Sequence, residues 1–180
     1  MLPPRKTVPD PIHTARLDLV PLDPKAMRHL IAGDRAKAEQ LIGAALPDEF
    51  PTAEDRAGFL PIQLHRMETN PDRRAWLARM MLTKDNQAIG HCGFHGPPEV
   101  IGRAEIGYTV FTTHRGQGFA KEAARALVDW ALDQGEKQVF ASVSPTNEPS
   151  LAVVRSLGFR QVGTQEDDVD GLELVVAIER

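Results

Sequence analysis

His114-Arg115-Gly116-Gln117-Gly118-Phe119-Ala120 joins the end of a predicted strand to the start of a predicted helix. Its two glycines let the backbone turn tightly and leave N–H groups uncovered by side chains. Directly after them Ala120, Ala123, Ala124, Leu127, Val128, Ala131 and Leu132 recur at i, i+3, i+4 spacing. Lys121, Glu122, Arg125, Asp129 and Asp133 take the other face, and Gly135 stands where the helix would stop. A glycine-bearing loop that opens a helix presents free N–H donors at the positive end of the helix dipole. That arrangement binds anions, and a phosphate ester is its natural guest.

Three loop types compete for this stretch. A Walker A loop needs G-x-x-x-x-G-K-[ST], which no segment supplies, and this excludes a P-loop nucleoside triphosphatase. The dinucleotide fingerprint G-x-G-x-x-G fails at its third position, where Lys121 stands, and the next predicted strand, Gln138–Val143, lacks the closing acidic residue. The third pattern, [QR]-x-x-G-x-[GA], is met by Arg115, Gly118 and Ala120.

Read with its surroundings, this pattern resembles the acyl-CoA-binding motif of the GNAT superfamily of N-acetyltransferases. Upstream lies the Glu105-Ile106-Gly107-Tyr108 strand, and downstream Asn147-Glu148-Pro149-Ser150 leads to Gly158-Phe159. These segments, with Thr14-Ala15-Arg16-Leu17-Asp18-Leu19-Val20, are similar to the ribosomal-protein N-terminal acetyltransferase branch of that superfamily. The resemblance runs from about Thr14 to the C-terminus. It implies the GNAT fold, an α/β (α+β layered) domain with a mixed, mostly antiparallel central sheet flanked by helices on both faces. It also implies acetyl-CoA as co-substrate, its pyrophosphate cradled by Arg115, Gly116, Gln117, Gly118, Phe119 and Ala120.

An amine attacking a thioester needs a neutral nucleophile, a stabilised oxyanion and a good leaving group. A primary amine is largely protonated at neutral pH, so a carboxylate, or a water held by one, is useful. Glu105 is the candidate, because strand alternation sets it with Gly107 and Thr109 opposite Ile106, Tyr108 and Val110. The competing explanation is a carboxylate held by Arg103 or another nearby arginine. From the resemblance, the backbone N–H near Val110 and Phe111 binds the acetyl carbonyl. The tyrosine that many GNAT enzymes use near their second motif has no counterpart, since Tyr108, the one tyrosine, lies in the Glu105 strand. Ser150 falls at the position of the general acid in the branch it resembles, with water as the other option. Asn147 is read both as a helix cap and, by resemblance, as a partner of the pantetheine amides.

Other chemistry-bearing residues take plainer readings. Cys92 on a strand points away from His91 and His95, no fourth ligand is evident, and no metal is expected. His91 or His95 remains a secondary base candidate near Glu105. His114 contributes its backbone to the loop. Trp76, Trp130, Phe94 and Phe159 read as core. Cys92, the sole thiol, is expected in a buried strand without an activated setting, so direct transfer in a ternary complex is favoured over an acyl-enzyme.

The elements that position these groups alternate along the chain. Met1–Pro11 reads as a loose arm, broken by prolines and without a signal-peptide pattern. Leu17, Leu19 and Val20 begin a strand ended by Pro21. Asp23 caps a helix with Pro24 in its first turn, and Asp34 caps a second helix through Leu41, Ile42 and Leu46. Prolines 51, 61 and 71 divide the next stretch into helical pieces around Ala53–Phe59 and Ile62–Glu68. Ala75–Leu82 and Ala88–Phe94 form a hairpin across Lys84-Asp85-Asn86-Gln87, and His95 starts a loop to the Glu105 strand. Arg160–Thr164 and Leu172–Ile178 close the chain across an acidic turn ending in Asp170-Gly171.

The 180 residues suit one domain. A net charge of −4 gives no sign of a nucleic-acid partner, and no apolar run is long enough to span a membrane. A single cysteine excludes an internal disulfide and fits a reducing, cytoplasmic setting. The expectation is an acetyl-CoA-dependent N-acetyltransferase acting on a protein N-terminus or a small-molecule amine, as a monomer or homodimer. Two alternatives stand beside it: a non-catalytic acyl-CoA-binding module, and an acyltransferase using a different acyl-CoA.

Overall fold

The computed structural model describes residues 9–168 and 171–179. The expected arm lies outside the described residues up to position 8, as does part of the acidic turn at 169–170. Alternating apolar residues build one eight-stranded sheet: β1 (Ile12–His13), β2 (Leu17–Pro21), β3 (Arg79–Thr83), β4 (Ala88–Phe94), β5 (Ala104–Val110), β6 (Gln138–Val143), β7 (Arg160–Asp167) and β8 (Gly171–Glu179). Their order is β1-β2-β3-β4-β5-β6-β8-β7. Every neighbouring pair is antiparallel except β5 and β6, so the sheet is mixed and mostly antiparallel.

Two hydrophobic cores lie on its two faces. One face carries α1 (Pro24–Ala32), α2 (Arg35–Ile42), α3 (Ala53–Ala57) and α4 (Phe59–Thr69), whose Met27, Leu30, Leu60 and Met67 pack on Leu77, Met80 and Leu82. The other carries α6 (Phe119–Asp133) and α7 (Glu148–Leu157), with a short α5 (Pro98–Ile101) between β4 and β5. The alanine-rich stripe of α6, fully buried at Ala123, Ala124 and Ala131, lets the helix lie close to the sheet, where Leu127 is also fully buried. Truncating a leucine in such a site costs about 2–5 kcal/mol. Trp76, Phe94 and Trp130 meet edge-on or tilted in this core, and Phe159 is buried with them, as their apolar bulk requires.

Local chemistry explains the helix ends. Asp23 accepts the Lys25 N–H with Pro24 in the first turn, and Asp34 accepts the Lys37 N–H. Three expectations change. The second helix stops at Ile42 rather than continuing through Leu46, because Gly43 takes a left-handed conformation at φ 77° and caps it. The predicted strand from Ala75 begins only at Arg79, since Pro71–Trp76 winds into a 3-10 turn. The loop after His95 contains α5, which Pro98 opens and Gly102 ends. The predicted hairpin turn stands, with Asn86 in the left-handed region at φ 60°.

The feature that matters most for function is a gap in the sheet. β5 and β6 pair only at Ala104↔Val139 and Glu105↔Phe140. Beyond that point β5 stays paired to β4 through Val110, while β6 stays paired to β8 through Val143. The two strands separate and open a passage between the faces.

Candidate active site

The glycine loop follows the end of β5 and opens α6. Gly116 and Gly118 have φ of 73° and 80°, a region open chiefly to glycine, and Gly118 is the N-cap of α6. Among the described residues no side chain caps this helix, so its first-turn N–H groups have no side-chain partner. Arg16 braces the loop from the side. Its Nε donates to Glu122 at 2.7 Å, one Nη donates to the Gln117 carbonyl at 2.9 Å, and its guanidinium lies over the Phe119 ring. Burial raises the Glu122 pKa, but hydrogen bonds from Thr14 and Arg16 outweigh it and hold the carboxyl below its ordinary value. Arg115 donates through Nε to the Val110 carbonyl at 2.9 Å, tying the loop to the end of β5.

The gap itself is a cleft of about 220 Å³ between Ile106 and Tyr108 on one side and Ala141 and Val143 on the other. Asn147 and Ser150 close it from α7. Asn147 is a true cap, its Oδ1 accepting the Ser150 N–H at 3.2 Å, and it still lines the cleft. The Phe111 N–H is already spent on the Ile89 carbonyl at 2.8 Å. Successive strand N–H groups point opposite ways, so Val110 rather than Phe111 directs its donor toward the gap.

Tyr108 lies in β5, and its side chain lines the gap, where the hydroxyl donates to the Ser150 carbonyl at 3.4 Å. Burial raises its pKa, which keeps the phenol protonated.

On the far face the gap widens into a cleft of about 520 Å³ beneath α4. His95, Gly107, Tyr108, Ser142 and Glu173 line both spaces and mark their junction. Glu105 stands just behind this wall, 5% exposed. Its carboxylate accepts from Arg103 Nε at 2.7 Å and from the Ser142 hydroxyl. The arginine pairing anticipated from sequence is present, and the carboxylate is not among the groups lining either cleft. Its neighbour on the cleft side is His95, whose Nδ1 is 3.7 Å from Oε1. A Cβ on Gly107 would sit 2.9 Å from His95 Nε2, so this ring nitrogen overlies the strand at the junction.

His91 lies deeper, stacked on Phe59 at 4.3 Å between ring centroids, and burial pushes its pKa down to about 4. Cys92 packs into the opposite core and its thiol is pushed up to about 12 by burial. Sequence reasoning missed Gln63, Arg66 and Glu173, which line the wider cleft. The spacing Phe59, Ile62, Gln63, Arg66 is a helical stripe and was the only available signal.

Residues 16–160 match the family model described as an acetyltransferase (GNAT) domain. The chain is 36% identical over 89 residues to the N-acetyltransferase p20 of Bacillus licheniformis, covering 49% of this chain and 50% of that protein. It thus spans about half the length of that relative. It is 27% identical over 150 residues to the N-acetyltransferase YjdG of Bacillus subtilis, covering 82% and 88% of the two. Among solved structures it is similar in fold to RimL, a ribosomal L7/L12 α-N-protein acetyltransferase in complex with coenzyme A. The TM-score is 0.64 at 18% identity, over 94% of this chain and 98% of that one.

Proposed function

The chain belongs to the GNAT acetyltransferase family, and from that premise we propose that it transfers the acetyl group of acetyl-CoA to a primary amine by direct attack in a ternary complex. The observation that carries this reading is the parting of β5 from β6: the glycine loop follows the end of β5, and the narrow cleft in the gap shares five lining residues with the wider cleft beneath α4.

The Arg115–Ala120 loop and the α6 N-terminus hold the pyrophosphate, and Asn147 meets the pantetheine arm in the gap. The acetyl carbonyl lies against the Val110 N–H, which stabilises the oxyanion as the thioester carbon becomes tetrahedral. The amine nitrogen forms its bond to that carbon and gives a proton to His95 Nε2. Glu105, fixed by Arg103 and Ser142, steadies the imidazolium from the Nδ1 side. Collapse of the intermediate breaks the C–S bond, and the thiolate takes a proton from the Tyr108 hydroxyl, with Ser150 adjacent in the first turn of α7. The products are the N-acetylated amine and free CoA. Cys92 is suited to neither nucleophile nor acid, because it is buried and its pKa is raised to about 12.

The test is calorimetric titration with acetyl-CoA, with NADH as a control, followed by thiol release in the presence of amines. Micromolar binding of acetyl-CoA without binding of NADH, and amine-dependent release of CoA, are expected. A folded sample that binds no acyl-CoA removes the reading. One that binds it but releases no thiol with any amine is a binding module instead.

A further inference from the structure

We infer that the acceptor is an amine that also carries a carboxylate, recognised by Arg66 and Gln63 on α4. This rests on the acetyltransferase reading above and identifies the substrate class of that same site.

The stripe of α4 that lines the cleft mixes apolar and polar side chains. Phe59 and Ile62 are apolar, but Gln63 is only 6% exposed, and its Oε1 has no hydrogen-bond partner among the described residues. Leaving a buried carbonyl unsatisfied is costly, and such groups are rare in folded proteins. Gln63 lines the cleft and nothing among the described residues holds its Oε1, so a small turn of this side chain would offer the carbonyl to a ligand N–H. One turn on, Arg66 lines the same cleft, and burial lowers its pKa. It has no carboxylate partner among the described residues, whereas its neighbours are paired: Arg28 with Glu68, and Arg73 with Glu99. Glu68, on the same helix, is therefore already engaged. A partly desolvated guanidinium without a counterion is suited to a carboxylate arriving with the ligand.

The rest of the cleft sets the charge and direction of that ligand. His91, with its pKa lowered to about 4, adds no second positive charge at neutral pH. Glu173, which accepts from Gln165 at 2.8 Å, stands where the cleft meets the gap. One cation and one anion in the same space disfavour a dianionic phosphate. They fit a molecule with its amine toward Glu173 and His95 and its carboxylate toward Arg66. Free amino acids and peptides with an acidic residue near the N-terminus share this chemistry.

The experiment measures CoA release with matched pairs of amino acids and their C-terminal amides. A second arm uses short amidated peptides with or without an acidic second residue. Acetyl-CoA binding is titrated on the same samples. The carboxylate member of each pair is expected to have a kcat/KM about tenfold or more above its neutral partner. The arm showing the larger preference identifies the source. In Arg66→Leu the preference should fall to within about twofold, through KM, with acetyl-CoA affinity retained. Gln63→Leu should raise the melting temperature, because the orphaned carbonyl is gone, while raising KM; a purely structural glutamine would not show that pair of effects. Retained acetyl-CoA binding without any carboxylate preference, or a preference that survives in Arg66→Leu, overturns the inference alone. Loss of acetyl-CoA binding by the folded wild-type protein overturns the acetyltransferase reading and this inference with it.

Discussion

The Tyr108 hydroxyl on β5 spans the gap between the separated strands and donates to the Ser150 carbonyl on α7, 3.4 Å away. One protonated phenol thus bridges two elements far apart in sequence, at the place where a thiolate would leave. Tyr108→Phe should lower kcat by about tenfold to a hundredfold, a modest loss for a general acid because a thiolate leaves readily. Ser150→Ala should lower it by no more than about threefold. Steady-state CoA release beside acetyl-CoA titration checks both. The reverse order of effects would assign the proton to Ser150.

Glu105 acts at one remove, so its replacement should leave two distinguishable signatures. Glu105→Gln should lower kcat by about tenfold to a hundredfold. It should also cost about 1–3 kcal/mol of stability, because the Arg103 guanidinium loses its carboxylate. Gly107→Ala separates the two, since its Cβ would lie 2.9 Å from His95 Nε2 and leave the Arg103–Glu105 pair intact. Lost activity without the full stability loss in Gly107→Ala would support the imidazole as base. Unchanged turnover in that variant would argue that the ring is not needed.

At the loop, Gly118→Val places a β-branched residue at φ 80° with its Cβ against Arg16. The left-handed conformation costs a side-chain-bearing residue about 1–2 kcal/mol, and the loop should relax away from its anion-binding shape. Acetyl-CoA affinity should fall more than tenfold while the chain stays folded. Isothermal titration with a circular-dichroism melt on the same sample decides it, and wild-type affinity in the variant would place the pyrophosphate elsewhere.

His91 makes the fold sensitive to acid. Its folded pKa is lowered to about 4, while an unfolded imidazole titrates near 6.5, so between those values the unfolded chain takes up a proton that the folded one refuses. Stability is therefore lost as pH falls from about 6.5 toward about 4, by at most about 3 kcal/mol in all. Urea unfolding at pH 7 and pH 5 should show about 2 kcal/mol of this loss in the wild type, and His91→Phe should flatten it. Equal slopes in the two proteins would show that the imidazole is not the sensitive group.

The glycine-loop side of the candidate site is legible in the sequence because its signals are local. The Gly116 and Gly118 turn, the apolar stripe of α6 and the Asn147 cap each declare themselves within a few residues. The acceptor side was not legible, for reasons of packing. Gln63 and Arg66 read as solvated helix positions in a proline-broken stretch, and only the docking of α4 over the sheet face makes Gln63 a buried residue. Tyr108 is far along the chain from Ser150, which it meets only in space. Its reach across the gap depends on β5 parting from β6, which no residue pattern in either strand announces. The Arg103 pairing of Glu105 is local and legible, two residues apart, whereas the Ser142 hydroxyl comes from β6 and is set by the sheet.

The parting of β5 from β6 gives the molecule two doors on opposite sides. On the proposed function, a coenzyme entering beside α6 and an amine entering beneath α4 do not queue for one entrance. Spent coenzyme can depart while the modified amine leaves in the other direction. Traffic of this kind lets either guest arrive first, and an analogue lodged at one door should slow turnover without competing for the other.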